Sequence, residues 1–67
     1  MDGLDKLIID LAEDCREKGL TTAKKIKKNV FDIIWADYKG KAPKWRVEMV
    51  CEDLSESVCL RLGIAWD

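Results

Sequence analysis

Residues 21–38, TTAKKIKKNVFDIIWADY, constrain the fold more than any other stretch of this chain. At about 100° per residue, a helix here gathers Ala23, Ile26, Val30, Ile33 and Ile34 on one apolar arc. Phe31, Trp35 and Tyr38, at i, i+4 and i+7, form a second arc beside it. A helix apolar on two sides touches two neighbours. This segment is therefore expected in the middle, in contact with the segments on either side of it.

The preceding segment, residues 2–18, repeats Leu4, Leu7, Ile8, Leu11 and Cys15 at helical spacing. Asp2 suits the N-cap, and Asp2–Lys6 and Asp14–Lys18 are acid-before-base pairs one turn apart. Gly19 supplies the left-handed residue that stops the helix, and Thr21 or Thr22 caps the next one. Residues 39–43, KGKAP, are the main loop, with Pro43 placed for the first turn of a third helix.

Two readings stand for residues 44–66. As a helix they bring Val47, Val50, Cys51, Leu54, Val58 and Leu62 onto one stripe closed by Gly63. As strands, Trp45-Val47-Met49-Cys51 and Val58-Leu60-Leu62-Ile64-Trp66 both alternate, but no glycine or asparagine lies between them for a tight hairpin turn. Asp53-Leu54-Ser55-Glu56 also resembles a capping box that would split the segment into two shorter helices. The reading adopted is all-α: a single domain over residues 1–67, with three helices near 3–18, 22–38 and 43–62. The alternative is two helices followed by a C-terminal β-hairpin. Leu7, Leu11, Ile26, Val30, Ile33, Val50, Leu54 and Val58 are the expected core.

Composition narrows the chemistry. With 48% hydrophobic and 37% charged residues, the chain has the makeup of a folded protein and not of a disordered tail. No apolar run approaches the roughly 20 residues a membrane span requires, and the N-terminal residues show no signal-peptide or transit pattern. No membrane association is expected, and the cytoplasm is the expected compartment. Histidine is absent, which removes the commonest general base and metal ligand. The three cysteines show no Cys-x-x-Cys spacing, and buried reduced thiols are expected, with Cys15 and Cys51 as candidate neighbours across two helices. Asp10, Glu13, Asp14 and Glu17 share the polar face of the first helix and read as a solvated surface. No phosphate loop or nucleophile motif occurs. The expectation is a protein that is not an enzyme and needs no metal, cofactor or small-molecule substrate.

Charge is segregated along the chain. Residues 1–18 carry six acidic and three basic side chains, residues 19–46 carry two and eight, and residues 47–67 carry five and one. The basic block includes Lys24, Lys25, Lys27 and Lys28 at the start of a helix, where they add to the positive end of its dipole. Lys39 and Lys41 extend the block past the loop. Such a placement suits an anion, and Phe31, Trp35 and Tyr38 alongside would offer stacking surfaces for bases. Residues 22–35 would then be the recognition helix of a helix-turn-helix-like regulator. The competing reading is structural: the acidic helices neutralise the lysines, and the aromatics seal a helix seam. An overall pI near 5.4 favours the latter.

Trp45 and Met49 lie about 160–200° from Val47 on the helical wheel, away from the third helix's own stripe. With Lys44 and Arg46 beside them, they have the anchor-and-rim composition of a protein interface. A non-enzymatic interaction or regulatory protein is the leading expectation, its partner another protein or a second copy. Nucleic-acid binding through the lysines is the runner-up. Trp66, ending the chain among apolar residues, either docks on the domain or joins such an interface.

Overall fold

A computed structural model describes residues 3–66, which form helices α1 (Gly3–Glu17), α2 (Ala23–Tyr38) and α3 (Lys44–Leu62). The expected N-cap at Asp2 and its pair with Lys6 lie outside the described residues. Two ends close by the same local device. Gly19, at φ 68°, lets the Leu20 N–H reach the Cys15 carbonyl at 3.0 Å and its own N–H reach Arg16 at 3.1 Å. Gly63, at φ 73°, repeats the pattern with Ile64 bonded to Cys59 at 2.9 Å. Both are Schellman turns, which turn the chain back so that the next apolar residue packs on the helix it has just left. Leu20 and Ile64 do so. Thr22 caps α2, its Oγ1 accepting from the Lys25 N–H at 3.3 Å.

The hairpin alternative for residues 44–66 does not occur, since α3 runs unbroken for 19 residues. Nor does the Asp53–Glu56 box start a new helix. Ser55 is fully buried, and its hydroxyl donates back to the Cys51 carbonyl at 2.6 Å, so it is satisfied within α3 instead of capping anything. Pro43 stands one residue ahead of α3, with its carbonyl accepting from Val47 at 3.2 Å.

The largest departure from expectation concerns the middle of the bundle. The α1–α2 contact is the smallest of the three, and α3 packs on both other helices. The reason is side-chain size. Cys51, Ser55 and Cys59, one turn apart along α3, are small and nearly or fully buried, so α2 can approach closely. Val47 and Leu54 lie buried in the same core, Leu54 beside Leu4 and Ile8 of α1. The second arc of α2 stays at the margin: Phe31 and Trp35 are half-buried and stacked on each other, with ring centroids 5.8 Å apart.

Burial is uneven from end to end. Where α1 and α3 finish and α2 begins, Cys15, Ile26, Val30, Val58 and Cys59 are all at 0% exposure. At the opposite end the helices splay. There Leu7, Ile34, Tyr38, Val47, Val50 and Leu54 line an open groove. Val50, expected in the core, is 48% exposed because it sits on the rim of that groove. Leu7 and Ile33 are half-buried against the core, and the remaining five expected core residues are buried.

A polar clamp ties α1 to α2 where they touch. Asn29 donates to Asp14 Oδ2 at 2.8 Å and accepts from Lys18 Nζ at 2.8 Å, while Lys18 pairs with Asp14 at 2.9 Å. The amide also lies 3.5 Å from the Cys15 sulfur. These bonds, that from Asn29 first and then that from Lys18, hold the Asp14 carboxyl below its usual range. A folded pKa below the unfolded value of about 3.9 means the clamp contributes fully above that pH. Its contribution is lost as pH falls through the lower folded value. Asn29→Ala should therefore cost about 1–2 kcal/mol at pH 7. Asp14→Asn should flatten the loss of stability below about pH 4. Urea midpoints at pH 7 and pH 3 check both.

Candidate docking surface and the lysine cluster

The exposed side of α3 carries the largest solvent-facing apolar groups near its start. Trp45 and Met49, one helical turn apart, are each 61% exposed. Val50 adjoins them on the side toward α1. Lys44 and Arg46 flank the pair and are themselves exposed, and Lys44 Nζ makes only a long, 3.9 Å contact with Glu48. Pairs of that kind at the surface contribute little. The wheel places Trp45 and Met49 opposite the buried stripe, and the packing leaves them there because both neighbours of α3 lie on its other side. Leu60 is also exposed, three turns further along the helix.

The lysine cluster is divided by the fold. Lys24, Lys25 and Lys28 are exposed, whereas Lys27 is half-buried with its ammonium 4.6 Å above the ring of Trp66. That contact is a cation–π interaction, and it shows that the C-terminal residues dock on the domain, with Ile64 and Trp66 packed against the core. Among the described residues the ion pairs are Lys18–Asp14 and Lys44–Glu48, and neither draws on the α2 lysines. A shallow groove between α2 and α3 brings Lys27, Lys28 and Phe31 alongside Glu48 and Glu52. Tyr38 is exposed at the other end of α2, apart from the stacked Phe31 and Trp35. Lys39 and Lys41 are exposed on the loop before α3, at the Trp45 end of the molecule. The structure thus gathers Lys41, Lys44, Arg46, Trp45 and Met49 about one end of α3. It separates Lys39 and Lys41 from the cluster at the start of α2.

Sequence spacing alone does not reveal the open groove at the splayed end. Its only signal is Val50, at one edge of the α3 stripe, together with Leu4 and Leu7 in the first turns of α1. The three cysteines are buried and free, and burial pushes each thiol up. At Cys59 the neighbouring Cys15 adds to the rise that burial causes. Among the described residues, no group of three potential ligands could hold a metal ion, and no helix is long and apolar enough to cross a membrane. Comparisons with protein-family models, with curated proteins and with solved structures found no match to this chain.

Proposed function

We propose that this chain is a non-enzymatic interaction protein that docks on another protein through the exposed side of α3. Trp45 and Met49 are the anchors, and Lys44 and Arg46 the charged rim. The observation that supports this reading above all is the juxtaposition of two large apolar side chains, each 61% exposed, on a helix already packed on both its neighbours. Burying an indole and a thioether removes a large apolar area from water at little cost in backbone ordering, because the helix is already formed. The basic rim favours a partner with acidic groups at the matching positions.

The nucleic-acid reading rests on Lys24, Lys25 and Lys28, exposed around the start of α2. It has less support, because Phe31 and Trp35 are stacked on each other, Tyr38 lies apart at the far end of α2, and Lys27 is engaged with Trp66. One capture experiment addresses both readings. Wild type, Trp45→Ala/Met49→Ala and Lys24→Glu/Lys28→Glu are each used as bait, with and without nuclease. The expected result is a protein partner that survives nuclease, is lost with the α3 variant and is kept with the α2 variant. Because the α3 side chains are exposed, that variant should melt within about 0.5 kcal/mol of wild type in stability. Binding that disappears with nuclease, or with the α2 variant alone, would reverse the assignment.

A further inference from the structure

The face around Trp45 and Met49 has a charge order that selects its occupant. Lys44 and Arg46 lie at the start of α3, and Lys41 just before it. Glu48 follows, 3.9 Å from Lys44, and two and three turns beyond Arg46 come Glu52, Asp53 and Glu56, all exposed. Trp45, Met49 and Val50 lie at the start and in the middle of this strip. The basic end coincides with the positive end of the helix dipole, so within a single chain this arrangement is unfavourable. A second helix running the opposite way would relieve it.

We infer that the surface is completed by a second copy of this chain, with the two α3 helices crossing antiparallel about Met49 and Val50. This deepens the docking reading above and rests on it. In an isologous pair, a contact from residue i to residue j is repeated from j to i. With the axis between Met49 and Val50, Arg46 of each copy comes opposite Asp53 of the other, and the match is made twice. On the wheel Arg46 and Asp53 differ by only about 20°, so both lie on the same flank. Trp45 likewise shares a flank with Glu52 and Glu56, whose carboxylates in the copy would meet the indole N–H and the adjacent Lys41. Glu52 already has Lys27 and Lys28 beside it across the α2–α3 groove, but an unrelated acidic partner would answer the basic turn alone and supply no cation to Asp53 and Glu56. A strip carrying both charges in the same order, reversed, answers both, and this chain carries one.

The pairing is modest in size. Twelve residues from Trp45 to Glu56 span about 18 Å along a helix 10–12 Å wide. That falls well below the ~800 Å² per partner of a standard interface, out of a total surface of 4853 Å². The dimer is therefore concentration-dependent and sensitive to salt.

Sedimentation equilibrium of the full chain, from micromolar to near-millimolar concentration, tests this. Wild type is expected to rise from 7.7 kDa toward twice that mass. Arg46→Asp alone and Asp53→Arg alone each place like charges together twice, and each should weaken association by about tenfold or more. The double variant Arg46→Asp/Asp53→Arg should restore it, which a structural role for either exposed side chain would not do. Trp45→Ala/Met49→Ala should remain at the monomer mass. Wild type that stays at 7.7 kDa throughout, or single reversals that are not rescued by the double, would overturn the second copy as occupant. If the α3 variant nevertheless loses a different captured protein, the docking reading survives that failure. If wild type neither dimerises nor captures a protein, both fall.

Discussion

Ile26→Ala is expected to bring the melting temperature down by roughly 10–30 °C. Ile26 is at 0% exposure, at the closed end where the last turns of α1 and α3 meet the first turn of α2. Removing three carbons from such a site forfeits their transfer free energy and leaves a cavity that a short-looped bundle cannot collapse, a cost of about 2–4 kcal/mol. For a domain of this size each kcal/mol shifts the midpoint by roughly 4–8 °C. A chain of 67 residues has little stability in reserve, so this one change takes a large part of it. Val50→Ala is the matched control. Its side chain is half-exposed at the splayed end and should cost less than about 1 kcal/mol. Circular dichroism melts of the two variants make the comparison. Equal losses would mean that the two ends of the bundle are packed alike.

The second large effect is on thiol chemistry. Cys15 and Cys59 have no exposed surface and Cys51 almost none, and burial raises the pKa of all three. Alkylation needs an exposed thiolate, so in the folded chain it must await opening of the bundle. At a stability of about 5 kcal/mol, the low end for natural domains, opening suppresses labelling by a factor on the order of 10³ to 10⁴. Cys51 should be labelled first, because it lines the shallow groove between α2 and α3, whereas Cys15 and Cys59 lie at the closed end. Iodoacetamide labelling and peptide mass mapping give the rate at each position. Ile26→Ala should speed all three about tenfold for each 1.4 kcal/mol of stability it removes. Labelling of native Cys15 at the rate of a free thiol would contradict its burial.

The ends of the helices and the exposed side of α3 were legible in the sequence because each depends on residues close together in the chain. Thr22 caps by accepting from a backbone N–H three residues on, and Gly19 and Gly63 stop helices by adopting a backbone conformation that side chains resist. Trp45 and Met49 could be placed outward for the same reason, since angle around one helix depends on spacing alone. The effect of one helix on another does not. The periodicity of α2 showed two apolar arcs but not how near a neighbour could come to either. The small side chains of Cys51, Ser55 and Cys59 decided that, and they made α3 the helix shared by both others. Val47 and Val50 lie about 60° apart on the same stripe, yet one is buried and the other half-exposed, because the helices diverge at that end. Trp66 lies beyond the helical stripe of α3, which ends at Leu62. Its docking depends on the turn at Gly63 and on Lys27, a residue 39 positions earlier that only the folded chain brings over its ring. Local backbone chemistry set where each helix begins and ends, and packing distances between helices, which are properties of pairs of side chains remote in sequence, set which apolar groups found cover.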